Sequence, residues 1–193
     1  MFNNRIINFS LTTAAAEPPV TLNEFKEHLQ IDVNDTGDDV VMQSALDAAI
    51  LMCENYTNKQ FVSALFKGYA DGFSQNMFIF KNPVTEISSI KYYDKNNQLI
   101  ALTADEDYFI DLISSPCRIT MLHLPSVKDK KPNAVEIEFK AGYADAAAVP
   151  EPIKMAIKLQ ATNHYEYRED AGRKPELVQV SKLILNSYKD FYL

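Results

Sequence analysis

Apolar residues recur along the chain in two different rhythms, which divide it into helical and strand-like segments. Residues 20–60 and 144–193 place apolar side chains three or four positions apart, as amphipathic helices do. Residues 61–143 instead contain short apolar runs separated by Asn, Asp, Pro and Ser, which is typical of strands joined by turns. Residues 1–19 show no sustained period and are predicted to form an N-terminal arm that orders against a neighbour.

This order of segments predicts an α+β fold. We expect a small helical bundle made of two N-terminal and two C-terminal helices. Residues 20–60 and residues 144–193 form its two parts, and a β-rich subdomain of about six strands, residues 61–143, is inserted between them.

Two helices are predicted in the N-terminal part of the bundle. Thr21 followed by Glu24 is a capping box that opens a short helix. Asp38 is predicted to cap a longer helix that reaches about Asn58. The apolar face of the longer helix comprises Val41, Met42, Ala45, Leu46, Ala49, Ile50, Met52, Cys53 and Tyr56. Its polar face comprises Asp39, Gln43, Asp47, Glu54 and Asn58. An apolar face this wide suits contact with more than one neighbour.

The clearest predicted strand is residues 135–141, where apolar and charged side chains alternate. Residues 94–97 are predicted to form a hairpin turn, since Asn tolerates a left-handed backbone. The other strands are expected at residues 61–70, 76–81, 86–93, 98–102, 107–113 and 117–124.

Two further helices are predicted after the strands. Pro150 favours the first turn of a helix that ends near Glu169, because proline lacks the N–H that would be unpaired there. Its inward residues are Ile153, Ala156, Ile157 and Ala161, and its outward residues are Lys154, Lys158, Thr162 and Glu169. Ser181 is predicted to cap a final helix that contains Leu183, Ile184, Leu185, Tyr188 and Phe191.

The charge balance argues against a general nucleic-acid binder. The chain has 19 basic and 26 acidic residues, a net charge of −7, whereas affinity for phosphates comes mainly from clustered Lys and Arg. An acidic protein can still border DNA that must slide past it. Neither a signal peptide nor a membrane span is apparent, and Cys53 and Cys117 are expected to be buried thiols in a reducing cytoplasm.

No catalytic or metal-binding set can be assembled from the sequence. His28, His123 and His164 lie on three different predicted elements, and none has a second ligand at metal-binding spacing. Cys117 and His123 are too far apart along one strand to act as a nucleophile and its base. The Asp-rich segment 32–38 lacks the closing Glu of a calcium loop and is interpreted as a solvated turn. We therefore expect neither an enzyme nor a cofactor.

The one basic run comprises Lys128, Lys130 and Lys131. Its simplest interpretation is a solvent-exposed hairpin loop. The alternatives are a contact with an acidic neighbouring subunit and a contact with passing DNA phosphates, and a run of charge alone does not separate these.

Five ordered fragments carry a resemblance to a known family. They are residues 19–32 (Pro-Val-Thr-Leu, then Lys26, His28, Leu29 and Asp32), residues 45–57, residues 82–94, residues 141–156 and residues 165–169. Their order and spacing resemble the long form of the phage head–tail connector, or adaptor, family. The match covers residues 18–170 and is weaker in the final helix.

The resemblance implies a structural protein of the neck of a phage or prophage virion, assembled in the host cytoplasm. Such proteins form a ring of about twelve copies beneath the portal, extend the DNA channel without gripping DNA, and dock a stopper or tail-completion protein. No membrane is involved. It also implies that the C-terminal segment reaches the portal. The candidate docking residues are Leu183, Ile184, Tyr188, Phe191, Tyr192 and Leu193. Packing of this segment on the chain's own core is the alternative.

A second hypothesis is a non-catalytic β-sandwich module that binds a peptide or a carbohydrate and is carried on a helical scaffold. That hypothesis predicts an aromatic-lined groove on the strands and no oligomer.

Overall fold

The computed structural model describes residues 8–168 and 176–190, and these divide into two compact units. The helical unit comprises residues 17–62 and the part from residue 144 onwards, and the β unit comprises residues 8–16 and 63–143. The described residues form four helices and two antiparallel sheets. The predicted α+β fold with a β-rich subdomain is therefore confirmed.

The helical unit is built from α1 (Leu22–His28), α2 (Asp39–Thr57), α3 (Glu151–Glu166) and α4 (Gln179–Asn186). The predicted capping box opens α1. The Thr21 hydroxyl accepts a hydrogen bond from the Glu24 backbone N–H at 3.3 Å, and the Glu24 carboxylate accepts one from the Thr21 backbone N–H at 2.6 Å. The core of this unit is formed by apolar side chains of α2 and α3. The buried ones are Met42, Leu46, Ala49, Cys53, Ile153, Ala156, Ile157 and Ala161.

The predicted cap of α2 is wrong in its chemistry, although the helix begins where expected. The backbone carbonyl of Asp38 accepts the first helical hydrogen bond, from the Met42 N–H at 2.9 Å. Its carboxylate caps no backbone N–H and instead accepts a hydrogen bond from the Tyr165 hydroxyl. Asp38 therefore ties the start of α2 to α3.

Two charged residues predicted to face solvent are buried. The Glu54 carboxylate accepts a hydrogen bond from the Phe61 backbone N–H at 2.8 Å, which holds the chain just beyond α2. The Lys154 stem is covered while its ammonium group lies 3.2 Å from the exposed carboxylate of Glu151. A long aliphatic stem allows lysine to occupy a position that a count of helical turns assigns to solvent.

The β unit contains eight strands in two sheets. They are β1 (Asn8–Thr13), β2 (Ala64–Ala70), β3 (Asn76–Ile79), β4 (Val84–Tyr93), β5 (Leu99–Ala101), β6 (Tyr108–Asp111), β7 (Cys117–Met121) and β8 (Val135–Ala141). One sheet has the order β1-β2-β8-β4-β5 and the other β3-β7-β6. Residues 61–143 thus hold seven strands, β2 to β8, one near each of the seven predicted ranges.

Residues 8–13 were predicted to belong to an arm and instead form the edge strand β1. Phe9 and Leu11 alternate with polar residues there, and the Phe9 ring lies edge-on to Phe66 and Phe139, 6.1 and 6.5 Å between ring centres. Pairing with β2 places Leu11 opposite Phe66. The segment therefore orders against its own chain.

The core of the β unit lies on one face of the five-stranded sheet. β2 and β8 alternate strictly between buried and partly exposed residues, as predicted for residues 135–141. Phe66 and Phe139 are cross-strand partners whose rings stack with centres 5.5 Å apart. Aromatic pairs of this kind add to the stabilisation that buried area alone provides.

A buried lysine organises the loop between α1 and α2. The Lys26 side chain is 1% exposed, and its ammonium group donates hydrogen bonds to the Val33 and Asp35 carbonyls, at 3.1 and 2.7 Å, and pairs with the Asp39 carboxylate. A buried charge is tolerated only when it is paired in this way. The oxygens that converge in this Asp-rich loop are therefore bound by an ammonium group.

We predict that Lys26→Met destabilises the protein by about 3 kcal/mol, because it leaves the Asp39 carboxylate and two carbonyls without their buried donor. Urea unfolding followed by the helical circular dichroism signal measures this change. The matched control Lys158→Met removes a partly exposed lysine of the same unit and should change the free energy of unfolding by less than about 0.5 kcal/mol. Equal effects of the two substitutions would contradict the structural role of Lys26.

Candidate functional site

Helix α4 is held in the helical unit by buried contacts on one of its faces. The Ser181 hydroxyl is buried and donates a hydrogen bond to the Ala156 carbonyl of α3 at 3.0 Å, and Leu185, one turn later, is fully buried. Ser181 was predicted to cap this helix, which is wrong. Val178 occupies the cap position, and its backbone N–H donates to the Gln160 side-chain carbonyl at 2.8 Å.

The chain beyond α4 is attached to α2. The Tyr56 hydroxyl donates a hydrogen bond to the Asn186 side-chain carbonyl at 2.6 Å, and the Lys59 ammonium group lies 2.9 Å from the Asp190 carboxylate. The Lys189 ammonium group lies over the Tyr56 ring, 4.4 Å from its centre. Residues 178–190 therefore belong to the helical unit. A variant truncated before residue 181 would lose the buried Leu185 and with it part of the core of this unit.

The opposite face of α4 is apolar and exposed. Val180 is 52% exposed and Leu183 is 61% exposed, whereas Ile184 and Tyr188 are half-buried. Three other predicted docking residues, Phe191, Tyr192 and Leu193, lie outside the described residues. The segment was predicted either to dock on the portal or to pack on the chain's own core. Leu185 packs on the core, whereas Leu183, on the other face of the helix, is free for a contact.

A buried amide fixes the segment that leads into α4. Gln160 is fully buried, and its amide nitrogen lies 3.4 Å from the Glu176 carbonyl and 3.2 Å from a ring nitrogen of His164. The same ring nitrogen lies 3.2 Å from the Met52 sulfur. Burial lowers the pKa of His164 below its usual 6.5, because the charged ring would lose solvation.

The net negative charge of the chain is concentrated in α1, α2 and the adjoining loops. Residues 17–58 contain nine acidic residues and one basic residue, Lys26, for a net charge of −8, whereas the whole chain has −7. Lys26 is buried and paired, while Glu27, Asp32, Asp35 and Asp47 are exposed. The rest of the chain is close to neutral, so this surface is the acidic one.

The lysine run lies in a loop that folds back on the β4–β5 hairpin. The Lys128 ammonium group donates a hydrogen bond to the Lys95 carbonyl at 3.0 Å, and the Lys131 ammonium group lies 3.9 Å from the centre of the Tyr93 ring. Lys130 is exposed. Two of the three charges thus stabilise the loop itself, which leaves Lys130 as the member of the run that points to solvent.

An open cavity of about 620 Å³ lies beside this loop. It is lined by Asp71, Val127 and residues 128–132, with no aromatic ring among them. The hypothesis of a peptide- or carbohydrate-binding module predicted an aromatic-lined groove, so this cavity does not favour it.

His123 and Cys117, the pair considered as a base and its nucleophile, have different surroundings in the described part of the chain. His123 pairs with Asp107, 2.9 Å between ring nitrogen and carboxylate oxygen, and Cys117 is buried. Burial raises the pKa of Cys53 and of Cys117 to about 12. Within residues 8–168 and 176–190, no group of three or more His, Cys, Asp or Glu side chains could hold a metal ion.

No helix in the described part of the chain is long and apolar enough to cross a membrane.

Three contacts escaped the sequence analysis. The pairing of His123 with Asp107 joins the end of β7 to the start of β6, and Lys26 and Gln160 bind carbonyls that lie between helices. The only sequence signal for the latter two is a polar residue on the apolar side of a helix, which does not identify its partner.

Several solved structures share this fold. A chain in the neck of an empty gene transfer agent (GTA) particle, computed with C6 symmetry, is 23% identical, with 97% of each chain covered and a TM-score of 0.79. A chain in the virion of the native GTA particle is 22% identical, with 97% of each chain covered and a TM-score of 0.80. A chain in the neck of the native GTA particle, computed with C12 symmetry, is 21% identical, with the same coverage and a TM-score of 0.74.

The described residues thus define a protein of the α+β class. Residues 19–110, which span α1, α2, β2 to β5 and most of β6, match the family of phage gp6-like head–tail connector proteins. This match confirms the predicted resemblance to a phage head–tail connector. No curated protein sequence matches the chain.

We predict that Leu185→Ala and Leu183→Ala differ sharply in their effect on stability. Leu185→Ala creates a cavity beneath α4 and should lower the free energy of unfolding by about 3 kcal/mol. Leu183→Ala removes an exposed side chain and should change it by less than about 0.5 kcal/mol. Urea unfolding of both variants measures the difference, and a large loss for Leu183→Ala would show that this residue is part of the core.

We predict that the helical unit loses stability as the pH falls below 6.5. The folded state lowers the pKa of His164, so its contribution is complete above 6.5 and declines as the pH falls through the lowered value. The unfolding free energies of the native protein and of His164→Gln should be compared at pH 7.5 and pH 5.5. The native protein should lose more stability than the variant, and equal losses would contradict the prediction.

Proposed function

We propose that the protein is the structural head-to-tail connector of a tailed phage or prophage. It forms a ring of about twelve copies beneath the portal protein, in the neck of the virion, after assembly in the host cytoplasm. The family match of residues 19–110 supports the connector function. The ring is supported by the likeness to chains from GTA necks computed with C6 and C12 symmetry.

The outward face of α4 is the proposed contact with the portal. One observation supports this contact: an apolar face carrying Val180 and Leu183 is presented by a helix whose opposite face is held by Ser181 and Leu185. A rigid apolar anchor loses little conformational entropy on binding, which favours affinity. Phe191, Tyr192 and Leu193 follow directly in the sequence and extend the candidate contact.

The acidic surface of residues 17–58 is the part proposed to border DNA. Exposed carboxylates such as Glu27, Asp32 and Asp47 repel phosphates over about one Debye length, roughly 8–10 Å in physiological salt. DNA would then pass through the ring without specific binding.

The ring would also extend the DNA channel and dock the stopper or tail-completion protein. Lys130, the exposed member of the lysine run, remains a candidate for a contact with an acidic neighbouring subunit. Lys128 and Lys131 would support that contact indirectly, since they hold the loop against the β4–β5 hairpin.

We predict that Leu183→Asp weakens portal binding at least tenfold. Burial of a leucine side chain contributes about 1.5–3 kcal/mol, and 1.4 kcal/mol corresponds to a factor of ten in affinity. The native protein and the variant would be mixed with the cognate portal, binding would be measured by sedimentation, and the products imaged by electron microscopy. A ring stacked coaxially on the portal is expected for the native protein.

Leu124→Asp is the matched control, because Leu124 is similarly exposed but lies in the β unit. It should bind the portal as the native protein does. Failure of the native protein to bind the portal under any salt condition would exclude the connector function. Unchanged binding by Leu183→Asp would exclude α4 as the docking surface.

A further inference from the structure

Both edge strands of the five-stranded sheet have an outer edge that pairs with no other strand among the described residues. These strands are β1 and β5. Exposed edges usually carry lysine, proline or a bulge, which prevent pairing with a second chain. β1 has the sequence Asn-Phe-Ser-Leu-Thr-Thr and β5 has Leu-Ile-Ala, so neither contains a charge or a proline.

The neighbouring part of β4 is protected, in contrast to β5. β5 pairs only with residues 91–93 of β4, so the first half of β4 also lies at the sheet edge. That half contains two irregularities in its pairing with β8, between Val84 and Glu86 and between Ile87 and Ser89. Bulges disrupt the ladder on which another strand would have to pair. β1 has one irregularity, between Leu11 and Thr13, and residues 8–11 before it pair regularly, so this part of β1 and β5 remain as the edges open to addition.

Apolar side chains on one face of the sheet are exposed to solvent at both of these edges. On β1, Phe9 and Leu11 share the face of the buried Phe66 yet are 42% and 54% exposed. On β5, Ile100 lies opposite Tyr92 on the same face and is 37% exposed. Apolar side chains on the same face of the sheet are therefore left uncovered at both edges.

We propose that β1 of one copy pairs with β5 of the next, so that the five-stranded sheets of neighbouring subunits join through their edges. The occupant of each edge is thus a second copy of this chain. The inference rests on the proposed ring, because it identifies the contact between adjacent subunits. It places Phe9 and Leu11 of one copy beside Ile100 of its neighbour, so that the uncovered apolar side chains of the two edges would cover one another.

The strand order determines the direction of this pairing. All neighbouring strands in the sheet are antiparallel, so in a sheet of five the first and the last strand run the same way. A copy added by rotation about a ring axis keeps its strand direction, and β1 therefore meets β5 in parallel. Because the two edges differ, the contact is heterologous and closes into a ring instead of stopping at a dimer.

Disulfide trapping tests the pairing in the full chain bound to its cognate portal. Leu11→Cys would be combined with Ile100→Cys or with Leu102→Cys, since paired strands bring opposite residues within disulfide reach. Cys53 and Cys117 are buried, with pKa values raised to about 12, so they should not compete. On oxidation, at least one double variant should give a ladder of covalent multimers on a denaturing gel. Each single variant should give only the monomer band on the same gel.

Three outcomes would overturn the inference. A covalent dimer from Leu11→Cys alone would show two-fold pairing between β1 strands. No ladder from either double variant, on portals that electron microscopy shows to carry complete rings, would place the subunit contact elsewhere and leave the connector function intact. No ring on the portal even for the native protein would exclude the connector function and this inference together.

Substitution by lysine provides an independent readout. Leu11→Lys and Ile100→Lys each add a charge to one edge and should at least halve the number of complete rings per portal. Ile113→Lys is the matched control, because Ile113 is 99% exposed in the β6–β7 turn, away from the five-stranded sheet. In a mixture of the two edge variants, the intact β5 of Leu11→Lys can still pair with the intact β1 of Ile100→Lys. The mixture should therefore give pairs of subunits and no complete ring. Complete rings from either edge variant alone would contradict the proposed contact.

Discussion

The burial of one face of α4 against α3 is the contact on which the proposed docking surface depends. Ser181 and Leu185 lie one turn apart, so a single hydroxyl bond and a single buried leucine set the rotation of the helix. Once that rotation is set, Val180 and Leu183 must point away from the core. The exposed apolar face is therefore a consequence of internal packing, and its geometry is as rigid as the core beneath it.

Buried polar groups extend this rigidity to segments without regular structure. Lys26 binds two carbonyls of the α1–α2 loop, Glu54 binds the backbone N–H of Phe61, and Gln160 binds both sides of the turn into α4. Each group is costly to bury unless its partners are in place. The connections between helices are thus specified by side chains that contribute nothing to the apolar pattern.

The apolar pattern can be read from the sequence, whereas the partners of buried polar groups cannot. This difference explains how much of the fold and of the candidate site could be predicted. Periodicity and local capping identified the four helices and most strands, and the candidate docking residue Leu183 is exposed. Ser181 was misassigned because its hydroxyl bonds across to α3, and Lys154 because its stem is covered. β1 was missed because it has only six residues, and only Phe9 and Leu11 among them are apolar. An alternation this short does not distinguish a strand from the irregular sequence around it.

The distribution of charge connects the proposed channel with the proposed contact between subunits. In a ring, the net charge of −8 on residues 17–58 recurs in every copy, and like charges brought close together repel one another. Contacts between surfaces that carry no charge would hold the copies together without adding to this repulsion. The outer edges of β1 and β5 meet this condition, since both are neutral, unpaired within the described chain and bordered by uncovered apolar side chains. The proposed ring would then repel DNA with one surface while its copies adhere to one another through another.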